Sequence, residues 1–534
     1  MQNVYPNIPK EKLEFAHTGD FLHDEKLKTK SRSYFQDALI RFKKNKSSVV
    51  AAGIICLLVI FAIFAPIISP YSVYDRNTIY QKMPPFVPSI AEKGWGILDG
   101  ATTRNSQNQS QMDSLEGIAQ ETGYDPLIEI LGINYVTEMY RGKERTVSYY
   151  SVSVNSYYAI GTKTYTISLD EYERIQKWQD ENQIQVILPW VEKSDVYSGI
   201  SSTNQSKIPE GDIADNVWYK YKYDTATKKM VVDKNEDGSY KPAYCTNPKV
   251  ASLGKDSAPI PYTSTMRVDG DDGSYIYCKA VSGSVKCRLN YYNYYLFMND
   301  GQEPTFVFGT DNYGADLFCA IGMGARFSLV FAVIVAAINL TIGAIYGAIQ
   351  GYYGGLIDLT MDRISDILSG VPFIVVATLF KLHLAQKVGP VVSFLFAFVL
   401  TGWIGMAALT RKQFYRFKNQ EYIMAARTLG ASDKRLMFKH IFPNAIGTMI
   451  TSCALVIPGV ISSETSLTYL GIIDLSEFAG TSIGTLMAEG QNTMSAAPHA
   501  MLFPSLFISL LLISFNLFGN GLRDAFNPST RGEE

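Results

Sequence analysis

The sequence predicts an α-helical polytopic membrane protein with a separate α+β domain inserted into it. Three observations carry that prediction. Several apolar runs approach about 20 residues, the length an α-helix needs to cross a bilayer. Basic residues cluster at alternate ends of those runs. A polar stretch from about residue 70 to 310, holding most of the 34 Tyr, separates the first run from the rest. The whole-chain averages, 47% hydrophobic and 18% charged over 534 residues, would suit a soluble protein and conceal these two parts. A formal net charge of -2 gives no reason to expect nucleic acid as a partner.

Residues 1–47 form an N-terminal segment containing an amphipathic helix and ending in the basic run RFKKNK, Arg41 to Lys46. The positive-inside rule puts this segment in the cytoplasm. The first span falls at 49–68, inside a transmembrane region 48–70, and carries no charge. It lies too far from the start, and is too long, for a signal peptide. Five more spans are expected at 327–349, 367–382, 391–409, 445–467 and 502–518. Gly370 and Pro372 interrupt the third, and Pro458 and Glu464 weaken the fifth. Buried helices of a large soluble core fit less well, because the first two runs are too long and too free of charge. Six crossings return the C-terminal tail, 523–534 with Arg523 and Arg531, to the cytoplasm. The segment between the fourth and fifth spans, 411–444, falls inside as well, where Arg411, Lys412, Arg416, Lys418, Arg427, Lys434, Arg435 and Lys439 belong.

The region 71–310 is then outside the cell, long enough for a domain with its own core. SLDEYERIQKW reads as a helix capped by Ser168 and Glu171, with Tyr172, Ile175 and Trp178 on one face. QVILPW, TKTYTIS, YKYDTA and SYIYCKAVSGSVKCRL read as strands and hairpins, NQSQMDSLEG and SGISSTNQSK as surface loops. The turn at Ser282 and Gly283 sets Cys278 opposite Cys287, within reach of a disulfide that an oxidising compartment would preserve. Cys245 is left over, or displaces one partner. Cys56, Cys319 and Cys453 read as apolar fillers. VVDKNEDGSY resembles a calcium loop, but Tyr244 stands where a Glu ligand would, so an acidic turn fits better. No Cys/His spacing suggests zinc, and no metal site is expected. LNYYNYYLF reads as a Tyr-filled sheet rather than a peptide-binding surface.

The inner segment between spans four and five contains EYIMAARTLGASDKRLMFKHIFPNA, residues 421–445. Residues 421–429 favour a helix that Gly430 ends in a left-handed turn. Ser432 caps a second short helix, and Pro443 closes the unit before span five. The result is a compact knob whose small Ala425 and Ala426 admit another backbone.

Here the sequence resembles the permease subunits of bacterial ABC importers, whose corresponding loop reads E-A-A-x3-G-x9-I-x-L-P. Met424-Ala425-Ala426, Gly430 and His440-Ile441-Phe442-Pro443 match that pattern, with Met424, His440 and Phe442 departing from it. The strings EYIMAARTLGASDKR and KHIFPNA are closer to the oligopeptide and dipeptide branch. FGTDNYGADLF (with Ala315 where the family has Arg), QGYYGGLIDLTMDRISDIL, GTLMAEG and FNLFGNGLRDAFNP resemble its C-type subunit. The resemblance covers about 35–90 and 305–529, leaving about 91–304 as an insertion, and makes 311–522 the permease core. It implies a type I ABC importer permease fold of six transmembrane helices. It implies a second, B-type permease subunit, two ATPase subunits that hold ATP and Mg2+, and an extracytoplasmic peptide-binding lipoprotein. This chain, in the bacterial cytoplasmic membrane, would be no enzyme and hold no cofactor. It has no GxxxxGK[ST] string. Glu421, Met424, Ala425, Ala426, Arg427, Gly430, Lys434 and Pro443 would couple it to the ATPase. Glu464, in ETSLTYLG, and Asn339 are candidates for the pathway, each competing with a structural hydrogen bond. Oligopeptides are the expected cargo. A dipeptide, nickel or another small solute is the alternative, and an anchored receptor or adhesin fits less well because an anchor needs neither six spans nor such a loop.

Overall fold

The computed structural model describes residues 34–140, 143–197, 200, 214–226, 229–246, 260–474 and 481–526. The expected loop SGISSTNQSK, apart from Ile200, and Arg531 lie outside the described residues. The chain begins with α1 (Tyr34–Lys44), which packs against the last helix through Phe42 and Phe518, ring centroids 5.5 Å apart. Asn45 separates it from α2 (Lys46–Ile68) and caps that helix, its side chain accepting from the Ser48 N–H.

The chain then leaves the helix bundle. β1 (Ala101–Gln107), α3 (Gln109–Thr122), β2 (Leu127–Tyr140) and β3 (Lys143–Asn155) make an antiparallel three-stranded sheet of order β1-β3-β2 with one helix against its base. β4 (Thr162–Ile167), α4 (Leu169–Asn182) and β5 (Ile187–Leu188) begin a second sheet. β6 (Tyr221–Asp224) and β7 (Lys229–Val232) pair only with each other, while β8 (Cys278–Val281) and β9 (Ser284–Asn290) complete the second sheet, with β9 central. At the centre, Arg288 and Glu121 form a buried ion pair at 2.9 Å. Tyr244, Thr162 and the Pro189 carbonyl satisfy its remaining groups. Such a pair is tolerated inside because every charge has a partner; removing one side would cost about 3–5 kcal/mol.

Two sequence expectations fail in this region. NQSQMDSLEG is not a loop but most of α3: Asn108 and Gln111 close a reciprocal capping box, and Leu115 and Ile118 bury one face. YYNYYLFM is not a sheet but α5 (Tyr291–Met298), capped by Asn290. Its tyrosines recur at helical spacing, so Tyr291, Tyr292 and Tyr295 turn inward together with Leu296. They meet Tyr80, Phe86, Tyr157 and Phe306 in an aromatic core that joins the inserted region to both of its stems. The acidic 233–240 segment is a turn, where Asp233 pairs with Lys222 at 3.0 Å and Lys241 at 3.1 Å. Ser168 caps α4 as expected, but the Glu171 carboxylate accepts from the Tyr294 hydroxyl.

The bundle resumes with α6 (Leu317–Tyr353), a 37-residue helix that Asp316 caps. α7 (Gly355–Ser369) and α8 (Phe373–His383) come next, bent by 74° across the Gly370–Pro372 break. The third expected crossing is therefore no straight helix. Pro372 removes a donor and holds the preceding residue out of the helical region, so the ladder stops there. α9 (Pro390–Gly402) and α10 (Ile404–Lys418) form one apolar passage broken only at Trp403. α11 (Glu421–Thr428), α12 (Phe442–Tyr469), α13 (Ile483–Asn492) and α14 (His499–Phe526) complete the order. Five helical stretches among the described residues are long and apolar enough to cross a membrane, and the bent pair makes a sixth if it is one span. Gly343, Gly347 and Gly351 of α6 face α10 so closely that a Cβ on Gly347 would overlap the Ala407 carbonyl. In lipid, where apolar burial does not drive helices together, such close contact supplies the dispersion that does.

Candidate functional site

The corner between α10 and α12 is built on a small apolar cradle. Ile423, Leu436, Met437 and Ile441 bury against Ala348, Tyr352 and Phe414. α11 ends in a Schellman stop: the Ala431 N–H donates to the Ala426 carbonyl at 3.1 Å, the Gly430 N–H to Arg427 at 2.9 Å, and Gly430 has φ +82°. Any residue with a Cβ would be strained at that φ. The corner therefore turns where the sequence places it.

Beyond Gly430 the chain departs from the expected pair of short helices. Ser432 occupies the N-cap position, but its side chain makes no capping bond. Residues 433–435 begin a helix that passes through a π-helical segment, Leu436–Ile441, directly into α12. Pro443 does not close a unit; it lies in the first turn of α12. Proline cannot donate to the carbonyl four residues back and crowds it, and the wider π turn immediately before it accommodates both effects. The second half of the knob is thus one rigid piece with span five.

The cradle is pinned from α6. The Tyr352 hydroxyl donates to Asp433 at 2.5 Å and accepts from Arg427 at 3.3 Å, and Lys418 donates to the Gly351 carbonyl at 2.8 Å. Arg411 bridges Asp358 at 2.7 Å and Asp362 at 2.9 Å, fastening α10 to α7. Sequence reasoning missed Tyr352, Asp433 and Asp358. Only the repeated Asp of DLTMDRISD, spaced to share a helix face, could have pointed to the last. The outer surface of the corner is exposed and mixed: Met424, Leu429 and Phe438 project among the charges of Glu421, Arg427, Lys434, Arg435 and Lys439, with Ala425 and Pro443 exposed beside them.

At the opposite end of the bundle, residues 309–316 thread a narrow passage. A Cβ on Gly314 would overlap the Asn77 carbonyl, and Gly309 sits against Met83 and His499. The His499 ring contacts the Thr310 carbonyl at 3.2 Å, and Asn312 donates to the Glu489 carbonyl at 2.9 Å. Ser69, just beyond α2, donates to Asp316 at 2.8 Å. Both stems of the inserted region are thereby fixed to the ends of α2, α6, α13 and α14.

Both pathway candidates are buried between helices of this chain. Glu464 is fully buried, its Oε2 accepting from Ser328 of α6 at 2.8 Å. Asn339 is buried against Gly402, which has no room for a Cβ. Both join helices of this chain. Cys278 and Cys287 face each other in the β8–β9 register, and both thiols are free and buried in this structure. Burial pushes both thiols up from their ordinary pKa. Cys56 is exposed on α2, where lipid would surround it, and Cys319 is buried. Among the described residues, no group of His, Cys, Asp and Glu is arranged to hold a metal ion.

Apolar helices in this number define a polytopic membrane protein. The chain belongs to the family of binding-protein-dependent transport system inner membrane components, which matches residues 339–532, and the N-terminal TM domain of oligopeptide transport permease C matches residues 33–85. It is 40% identical over 224 residues to the oligopeptide transport system permease protein of Bacillus subtilis, covering 42% of this chain and 72% of that one. The corresponding Escherichia coli K12 protein is 38% identical, covering 43% of this chain and 74% of that one. A Bacillus subtilis dipeptide transport system permease protein is 39% identical, covering 42% and 69%. Neither family match covers residues 86–338, which contain all three sheets of the described residues. A solved inward-facing methionine ABC transporter aligns with 39% of this chain and 96% of that one, at 14% identity and TM-score 0.33, too loosely to bear on the fold.

Proposed function

We propose that this chain is one of two dissimilar permease subunits of an ATP-driven importer, forming half of the pathway for oligopeptides that a binding protein delivers from outside the cell. The observation that carries the reading is 40% identity to an oligopeptide permease over 72% of its length. The corner agrees with it. Exposed apolar side chains set among charges on a buried, pinned base suit a groove on an ATPase subunit, with Met424, Leu429 and Phe438 as contacts and Arg427 and Lys434 as charged flanks. Closure of two ATPase subunits around ATP and Mg2+ would move the corner. The unbroken path from Asp433 into α12, and the Tyr352 tie to α6, would carry that motion into the membrane. A dipeptide cargo is the second reading, favoured by the similar identity, 39%, to a dipeptide permease.

The orientation belongs to the same proposal. Arg41, Lys43 and Lys44 precede α2 and Lys46 begins it, while Lys412, Arg416 and Lys418 lie in the second half of α10; both clusters favour the cytoplasmic side. Both termini would then be inside the bacterial cytoplasmic membrane and the inserted region outside, beside the landing place of a peptide-binding lipoprotein. The test is uptake of labelled tri- to hexapeptides and of dipeptides by proteoliposomes holding the full complex, alongside ATP hydrolysis. Gly430→Pro should leave assembly intact and lower uptake at least tenfold, because Pro cannot adopt the left-handed corner. Normal uptake by that variant would remove the corner from the mechanism, and uptake of neither peptide class would remove the cargo.

A further inference from the structure

The longest hairpin of the inserted region extends past everything that supports it. At its base, Val152 and Val154 of β3 are buried against Leu115 of α3, and β1 pairs with β3 only as far as Gln107 opposite Tyr150. From Ile133 to Tyr140, a run of about 25 Å at strand rise, β2 pairs with β3 alone. Two-stranded ribbons are marginal in water without a third strand or a covering helix. This one also exposes apolar side chains that a free ribbon would avoid. Ile133 (48% exposed), Tyr135 (67%) and Met139 (70%) alternate onto one face, and Ile128, Ile130 and Leu131 are exposed nearer the base, where two register shifts bulge the strand. Across the ladder Ile133, Tyr135 and Met139 face Tyr150, Ser148 and Glu144, so the face mixes exposed apolar side chains with polar ones, and large apolar groups left open in this number mark a surface that meets something.

The geometry points to the arm of β2 and β3 as a docking surface for the delivering binding protein, a folded partner with an apolar patch of its own. This rests on the importer reading above. Three observations select that occupant. Lipid fits poorly, since the open edge of β2 carries main-chain N–H and C=O groups that hydrocarbon cannot satisfy, whereas a protein can pair with them or leave them wet. The arm lies in 86–338, the stretch neither family match covers, so it is no part of the membrane component that the family shares. Its stems are fixed where residues 309–316 meet α13 and α14, at the end of the bundle on which a binding protein must land. The aromatic core around Tyr291 and Phe306 takes in Tyr157, just after β3, and so ties the foot of the arm to both stems. Exposed Ile, Tyr and Met on a strand pair resemble the core of a transient protein interface.

The experiment uses the assembled importer in lipid nanodiscs and its purified, peptide-loaded binding protein. The variant Ile133→Thr/Tyr135→Thr/Met139→Thr keeps strand-forming residues and removes the apolar face; Tyr135→Lys alone probes the same surface with less disturbance. The expected result is a tenfold or greater rise in the binding protein's Kd and loss of its stimulation of ATP hydrolysis. Basal hydrolysis, subunit composition and thermal midpoint should stay at wild-type values. Unchanged Kd in both variants overturns the proposal. So does a lowered midpoint, which would mean that the chain itself covers the face, or loss of the second permease subunit or of a dimer of importers. If the wild-type importer neither binds nor responds to a peptide-loaded binding protein, the importer reading falls with it; if wild type and variants respond alike, only the docking surface falls.

Discussion

Glu489 sits where the stem after α2, the 309–316 return and α13 meet, in a small polar cavity of about 140 Å³ with Arg76, Asp311 and Thr485. Burial, reinforced by the neighbouring Asp311 and Asp474 and opposed by Arg76, pushes its carboxyl up to about 7. Below about pH 4 the group is protonated whether the chain is folded or not, so it contributes nothing to pH dependence. Between that pH and 7 the unfolded chain releases the proton while the folded one keeps it, so stability falls as pH rises. Above 7 the loss is constant. Glu489→Gln should therefore flatten the decline in thermal midpoint of the purified complex between pH 5 and 7.5 and leave the acid limb unchanged. Parallel curves for the two proteins would show that the site is hydrated enough to ionise normally. The cysteine pair belongs to the same scale. Cys278 and Cys287 lie directly opposite in the register, in the core that also holds Tyr172. With the inserted region outside the cell, as proposed above, an oxidant there would join them, slowly, since burial disfavours the reactive thiolate. Mass spectrometry of unreduced protein from native membranes should find the two peptides linked, and recovery of both as alkylated thiols would reject the bond.

Helix against helix, the decisive contact is the glycine stripe of α6. Gly347→Leu would drive a side chain into the α10 backbone, whereas Gly459→Ala in α12 meets nothing within 4 Å. The first should cost about 1–3 kcal/mol or more by overpacking, seen as a midpoint several degrees lower, and the second should be near neutral. Equal midpoints would mean that α6 and α10 are not held this closely. The stripe GAIYGAIQG was present in the sequence, but its partner was not, because small residues announce close approach without saying to what. The same limit runs through the other elements. Apolar runs were legible because bilayer thickness fixes their length, and the Gly430 corner because a positive φ selects Gly. α3 was readable from Asn108, Gln111 and the Leu115–Ile118 spacing, and was missed because its polar face dominates its composition. The Tyr run around α5 was read by β propensity, and tertiary burial at helical spacing overrode that preference. Glu464 and Asn339 looked like pathway residues because a polar group in a span is costly, but their partners, Ser328 and the gap left by Gly402, lie more than sixty residues away in the chain. The bend between α7 and α8 could be anticipated from Gly370 and Pro372, its 74° could not, since packing sets the angle.

At the scale of the whole molecule, the inserted region is mounted on the bundle rather than strung from it. Phe86 exchanges two backbone hydrogen bonds of 2.8 Å with Phe306 on one side, while its neighbour Val87 donates to the Leu98 carbonyl at 2.8 Å on the other. Outgoing and returning chains therefore lie on the two edges of one short strand, about 10 Å apart at the usual strand spacing. That geometry makes the region removable. Replacing residues 97–302 by a short Gly/Ser linker spans the gap without pulling on residues 309–316, provided Tyr80, Phe86 and Phe306, stripped of their aromatic cover, are changed to polar residues. Membrane helices, the Gly430 corner and the Tyr352 tie are all outside the deleted stretch. If the region docks the binding protein or fences the entrance, the shortened permease should assemble with its partner subunits and hydrolyse ATP at the basal rate. Its binding protein should associate at least tenfold more weakly, and peptide uptake at low binding-protein concentration should fall in proportion. Raising the binding-protein concentration should restore uptake, because docking is then supplied by mass action rather than by the arm. Uptake that stayed low at saturating binding protein would place the region in the pathway itself, and full affinity with full uptake would assign it to a partner outside transport.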